Sequence, residues 1–273
     1  MQFVECQGAR IPAIGLGTMT LKEDVCVEAV KTALQLGYRS LDTAEKYGNE
    51  IWVGEGLAES GVKREDVFLT TKVDLRNLAS PDFERSVDES LEKLQVSSVD
   101  LLLIHWNNPD VSLTDSIGSL CKVKRAGLTK HIGVANFTTS MLNEAVKYAT
   151  EPLVANQIEV HPFLDQTKVL TKCRELDISV TAYCPAARGR VPGDETLGSK
   201  GRAHGKTATQ VALRWLVQQR VIPIPRSASP EHLKANLDIF DFELTDAEMA
   251  DITALKRADG RVVSPPFAPQ WDT

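Results

Sequence analysis

The sequence is short of cysteine, of long apolar runs and of surplus positive charge, and each shortage removes a class of protein. Its five cysteines, Cys6, Cys26, Cys121, Cys173 and Cys184, are scattered, odd in number and without a C-x-x-C spacing. Neither a disulfide framework nor a structural zinc site follows from that arrangement, and a reducing compartment fits it best. No stretch of about 20 apolar residues is present to span a bilayer. The opening MQFVECQGARIPAIGLG has no basic segment leading into an apolar run of signal-peptide length. A cytoplasmic protein without membrane partners is therefore expected, as a monomer or weak oligomer. Lys and Arg number 31 against 37 Asp and Glu, a net charge of −6. That balance argues against a nucleic-acid partner, which would favour a basic surface. It leaves room for a local basic pocket that takes one phosphorylated small molecule. No repeat with shared motifs, low-complexity tract or interdomain linker breaks the chain.

What is present is ordinary globular material: 273 residues, 42% apolar and 25% charged, enough for a sizeable core. A short hairpin is expected over residues 2–10, turning near Gln7-Gly8. Short apolar runs then alternate with amphipathic segments. The strand candidates are 13–16, 40–42, 67–71, 99–105, 131–136, 155–160, 179–183 and 221–225. Between them, residues 24–36, 83–94, 112–125, 141–149, 168–176 and 207–218 carry helical periodicity; in the last, Val211, Leu213, Trp215 and Leu216 give an apolar face. Strands that alternate with helices predict parallel pairing through right-handed crossovers. Eight such units match a (β/α)8 TIM barrel, and barrels of about 250 residues routinely form a single domain. The rival, an open doubly wound sheet, usually shows a G-x-G-x-x-G turn after its first strand. Here Gly15-Leu16-Gly17-Thr18-Met19-Thr20 lacks the third glycine and leads into no immediate helix. Two stretches are rich in Gly and Pro: residues 185–205, read as a long loop after strand seven, and the tail 259–273, with three prolines and Trp271.

In a barrel of this kind the active site lies at the C-terminal strand ends, and chemically capable residues gather there. Strand two ends in Asp42, strand three in Lys72, strand four in His105 and strand five in Asn136. Strand six leads through Gln157 to His161, strand seven ends in Tyr183 and strand eight gives way to Arg226. Tyr47 follows strand two. Each has a bland reading taken singly: Asp42 as a helix N-cap, Lys72 as a solvated strand end, His105 as a hydrogen-bonded core residue. Convergence of all four types on one rim changes the odds. Carbonyl reduction by hydride needs a proton for the developing alkoxide. A tyrosine hydroxyl can give it, although its ordinary pKa of about 10 is far above working pH. A nearby ammonium, Lys72, is expected to lower that pKa, with Asp42 keeping Lys72 charged. His105 is expected to donate to the carbonyl oxygen. No metal is required.

The motifs that carry these residues are Gly15-Leu16-Gly17-Thr18, Leu41-Asp42-Thr43-Ala44 with Tyr47-Gly48-Asn49-Glu50, Thr71-Lys72-Val73, Asp100–Trp106, Ile132–Phe137, Asn156-Gln157 with His161-Pro162, and Ala182-Tyr183-Cys184-Pro185. Over nearly its whole length the chain resembles the aldo-keto reductase family, and most of all its bacterial 2,5-diketo-D-gluconate reductase-like branch. The resemblance implies a barrel that reduces aldehydes and ketones with NADPH, and a catalytic tetrad at Asp42, Tyr47, Lys72 and His105. It implies that Tyr183 stacks on the nicotinamide while Asn136 and Gln157 hold the carboxamide, with Thr18, Met19, Asp42 and Cys184 also at the cofactor. Residues 224–236 match the family's adenosine-phosphate site, implying contacts from Arg226, Ser227, His232 and Asn236. Tyr47, His105 and Trp106 are implied at a small-molecule carbonyl substrate.

Several positions depart from the family pattern. His232 stands where the family usually has Arg, and neutral imidazole is a weaker phosphate partner. Arg226 stands where the family has Lys and keeps a permanent forked cation. NADPH preferred, with some NADH tolerance, is the expectation. Ala135 and Cys184 replace serines, and Asp74 occupies the place of an aromatic. A more open, more polar pocket is expected, Asp74 either facing it or capping a helix, with Phe267 and Trp271 in the tail able to fold over the mouth. Three other functions compete. A class I aldolase would use Lys72 as a Schiff base, although Asp42 would keep that amine charged. A metal-dependent hydrolase lacks a ligand set. A non-catalytic cofactor-binding barrel is opposed by the complete tetrad.

Overall fold

A computed structural model describes residues 2–272; Met1 and Thr273, the last residue of the predicted tail, lie outside the described residues. The chain opens with an antiparallel hairpin, β1 (Phe3–Cys6) and β2 (Ala9–Pro12). It turns at Gln7 and Gly8, both with positive φ. Eight parallel strands follow: β3 (Leu16–Gly17), β4 (Ser40–Asp42), β5 (Phe68–Val73), β6 (Val99–Ile104), β7 (Thr129–Ala135), β8 (Leu153–Glu159), β9 (Ser179–Tyr183) and β10 (Val221–Pro223). They lie in sequence order from β3 to β10. The ring closes because Gly15 N–H donates to Pro223 O at 3.1 Å and Gly17 N–H to Pro225 O at 3.2 Å. Glycine is required at this seam: a Cβ on Gly17 would stand 2.7 Å from Ile224 O. This is the (β/α)8 barrel that the alternation of strands and helices predicts.

Ten α-helices are present among the described residues: α1 (Glu23–Leu36), α2 (Glu50–Glu59), α3 (Asp82–Leu94), α4 (Leu113–Arg125), α5 (Thr139–Tyr148), α6 (Thr167–Glu175), α7 (Glu195–His204), α8 (Ala208–Gln218), α9 (Pro230–Leu237) and α10 (Asp246–Thr253). Their apolar stripes face the strands. In α3, Phe83, Val87, Leu91 and Leu94 recur on one face and all are buried. Start signals act as chemistry demands: Thr207 and Gln210 form a reciprocal capping box on α8. The stretch 185–205 is not the long loop expected, since α7 occupies its second half.

Two apolar zones result. The larger lies between strands and helices. The smaller fills the lower barrel, where Val4, Ala9 and Ile11 of the hairpin meet Leu101, Leu103, Ala155 and Ile222. The hairpin plugs the N-terminal end, and chemistry is left to the opposite rim.

Candidate active site

At the upper rim, Lys72 near the end of β5 is fully buried and donates from Nζ to Asp42 Oδ1 at 2.5 Å, to Thr43 O at 2.7 Å and to the Tyr47 hydroxyl at 3.4 Å. Asp42 ends β4, the strand paired with β5, so the register Asp42↔Thr70 brings carboxylate and amine together. The other oxygen of Asp42 accepts from Gln157 Nε2 across the barrel at 2.6 Å. Tyr47 sits in a 3₁₀ turn, Glu45–Tyr47. Its ring meets the His105 ring edge-on, centroids 5.5 Å apart. The four predicted tetrad residues therefore form one continuous chain of contacts, Asp42 to Lys72 to Tyr47 to His105.

The turn bearing Tyr47 is braced from both sides. Glu45 accepts from the Asp74 amide, Asn77 and Ser86. Asn49 is buried, accepts from the Thr43 hydroxyl and donates to Thr18 O and Leu21 O. Sequence reasoning assigned neither brace; the polar pair flanking Tyr47 was their only signal. Asp74 does not act as a free pocket wall: it caps the turn Leu75–Asn77, accepting from the Arg76 amide and its Nε.

Burial sets the protonation states. It drives the Tyr47 phenol well above its ordinary value, and the Asp42 charge pushes the same way. The sequence led us to expect the opposite, with Lys72 lowering this pKa. Burial outweighs the ammonium, and Lys72 is engaged more closely by Asp42 at 2.5 Å than by the phenol at 3.4 Å. Burial also lowers Lys72, while Asp42 opposes that change. His105 is held well below its usual range by burial and then by the charges of Lys72 and Lys46. Its Nδ1 is buried and has no hydrogen-bond partner among the described residues. The site thus holds a protonated phenol and a neutral imidazole. Lys72 has no solvent exposure and is ringed by acceptors, which leaves a Schiff base no line of approach.

The predicted cofactor residues line the same rim. Thr18 is buried and donates from both its amide and its hydroxyl to Asp42 O; Met19 is exposed. Asn136, at φ 64°, is the residue directly after β7 rather than its last, in the left-handed region that asparagine tolerates. It donates to His105 O at 3.0 Å and accepts from the Tyr183 hydroxyl at 2.7 Å. Cys184 is half-buried with φ 50°. Further round, Ser229 caps α9 by accepting from the His232 amide, and the Ser227 hydroxyl accepts from the Ser229 amide. Arg226 and His232 are exposed, Ser227 and Asn236 buried. Two observations fit a phosphorylated nicotinamide cofactor. Arg226 has no carboxylate partner among the described residues, beside a helix N-terminus that favours anions, and Asn136 keeps an amide hydrogen to spare.

Trp106, directly after His105, is buried against the tail. Phe267 and Trp271 meet it edge-on, at centroid distances of 5.5 and 6.1 Å. Lys46 lies 4.7 Å over the Phe267 ring and Arg261 3.8 Å over Trp271.

Comparison with known proteins agrees with this geometry. The aldo/keto reductase family profile matches residues 13–257. The methylglyoxal reductase DkgB of Escherichia coli O157:H7 is 41% identical over 266 residues, 96% of this chain and 99% of that protein. A crystal structure provisionally named 2,5-diketo-D-gluconic acid reductase B superposes with a TM-score of 0.98 at 49% identity, covering 100% of this chain and 98% of the other. The Bombyx mori aldo-keto reductase, solved in complex with NADP, has a TM-score of 0.86 at 33% identity, covering 94% and 92%.

Proposed function

This chain belongs to the aldo/keto reductase family, and from that premise we propose that it reduces small aldehydes and ketones with NADPH, Tyr47 giving the proton. The carrying observation is the Lys72 ammonium within hydrogen-bond reach of both the Asp42 carboxylate and the Tyr47 hydroxyl. NADPH, when bound, supplies the hydride. The residues that would hold it are Asn136, Gln157 and Tyr183 at the nicotinamide end and Arg226, Ser227, His232 and Asn236 at the adenosine phosphate. Thr18, Met19 and Cys184 would add contacts to it from the same rim.

The substrate oxygen sits between the Tyr47 hydroxyl and the neutral His105 ring. The imidazole N–H polarises the carbonyl and orients it. As negative charge grows on that oxygen, Tyr47 releases its proton to it. The resulting phenolate is then the charge that Lys72 stabilises, so the ammonium acts on the transition state rather than on the resting phenol. Asp42 keeps Lys72 charged in its buried setting.

The relatives' names, one a methylglyoxal reductase and one a 2,5-diketo-D-gluconic acid reductase, favour small polar dicarbonyl compounds. Trp106, Phe267 and Trp271 would form the apolar side of the pocket and the rim around Tyr47 and His105 the polar side. Five unpaired cysteines support a cytoplasmic enzyme. The test is consumption of NADPH with a small ketoaldehyde. Wild type should turn over, and Tyr47→Phe should lose at least about 100-fold in kcat while still binding NADPH. Comparable turnover by the two proteins would reject the mechanism.

A further inference from the structure

Glu159 is a carboxylate with no solvent exposure at the end of β8, in the run Gln157-Ile158-Glu159-Val160-His161. Buried charge in that position needs partners, and most of them come from the tail. Its Oε1 accepts from the Val262 amide at 2.7 Å and its Oε2 from the Val263 amide at 2.8 Å. Buried His161 contacts Oε1 through Nε2 at 2.9 Å. Arg261 Nη1 stands 4.0 Å from Oε2. The tail's far end is fixed as well: Asp272 accepts from the Thr139 amide at 2.8 Å and the Thr139 hydroxyl at 2.7 Å, at the start of α5. Between these two anchors lie Phe267 and Trp271, packed on Trp106.

We propose that Glu159 is a positioning residue for substrate: by gripping residues 261–263 it sets where the Phe267–Trp271 wall stands over Trp106 and hence over His105. Arg261 extends the link, its guanidinium lying between the Glu159 carboxylate and the Trp271 ring. Gln157, two residues earlier on the same strand, bonds Asp42, so one strand carries both a partner of the tetrad and the anchor of the wall. The inference rests on the carbonyl-reductase reading above. Glu159 touches neither substrate nor the reacting atoms; it acts through the tail.

The test uses the full chain with Glu159→Gln, which keeps the shape but turns an NH₂ toward one of the two backbone amides. Asp272→Ala releases the opposite anchor without disturbing the barrel interior. Hydrogen exchange without substrate should speed up by about tenfold or more at Val262 and Val263 in Glu159→Gln. It should speed up across the tail's last residues in Asp272→Ala. In both variants KM for a ketoaldehyde should rise about tenfold, with kcat and the NADPH dissociation constant within about twofold of wild type. A loosened tail with unchanged KM overturns the proposal. So does a tail that stays protected in both variants, or an NADPH constant that rises in step with KM. If wild type reduces no carbonyl compound, the reductase reading and the KM arm fall together, while exchange still decides whether Glu159 holds the tail.

Discussion

At the scale of single residues, the site works by keeping two groups uncharged. Tyr47 is pushed upward by burial and by Asp42, and His105 downward by burial and by Lys72 and Lys46. Reduction needs the phenol protonated, so raising its pKa lengthens the usable range on the alkaline side. Depressing His105 lengthens it on the acid side, because the ring stays neutral below about 6.5. We therefore expect kcat/KM for carbonyl reduction to be flat through neutrality and to fall only above the ordinary tyrosine value of about 10. A pH–rate profile with an alkaline limb centred well below that would show that Lys72 dominates after all. The meeting of the four residues was legible because each ends a strand or follows one, and a barrel gathers its strand ends. The direction of the Tyr47 shift was not legible. It depends first on how completely the phenol is buried and then on the Asp42 charge beside it, and no spacing in the sequence reveals the depth of burial.

At the scale of elements, seven barrel strands were readable, the first was expected over 13–16 but lies at Leu16–Gly17, and some helices were not readable. Runs such as Val99–Ile104 are buried along their whole length and read as apolar blocks. Helix α2 was hidden by Gly54 and Gly56, which lower helix propensity. They are there for packing: a Cβ on Gly54 would lie 2.7 Å from Leu94 O, and one on Gly56 2.7 Å from Val27 O. Helix α7 was hidden because its buried residues are only Leu197 and Gly201, too few to show a period. Glu159 was missed although Gln157, Glu159 and His161 alternate as a polar face inside an apolar strand, a signal that could have exposed it. The start of α9 was legible from Ser229-Pro230, a cap followed by proline at the first helical position. Its exposed His232 carries the cofactor prediction. His232→Arg adds a permanent cation beside Arg226, and the affinity for NADPH should rise by about tenfold while NADH is little changed. Dissociation constants for both cofactors check this; an equal gain for NADH would place the new charge away from the 2′-phosphate.

At the scale of the whole molecule, the barrel and the tail are separable in energy though joined in function. The ring closes through Gly15 and Gly17 without help from residues beyond Pro225. Of tail residues 259–272, only Gly260 is buried. Its backbone is pressed so close that a Cβ would fall 1.9 Å from Phe163 O, which makes Gly260 the natural last residue of the barrel proper. Removing everything after it takes two backbone donors from Glu159, each worth about 1.5–3 kcal/mol when intact. Water replaces part of that loss once the carboxylate is uncovered. The truncated chain should therefore still unfold cooperatively, with a melting temperature lower by at most roughly 6–24 °C, at roughly 2–4 °C per kcal/mol for a chain somewhat smaller than this one. Trp106 loses both aromatic neighbours in the same step, and KM for a ketoaldehyde should rise by about tenfold or more. Calorimetry and steady-state kinetics on the same preparation separate the two effects. A collapse in cooperativity would mean that the tail belongs to the core, and an unchanged KM that the aromatic wall takes no part in holding substrate.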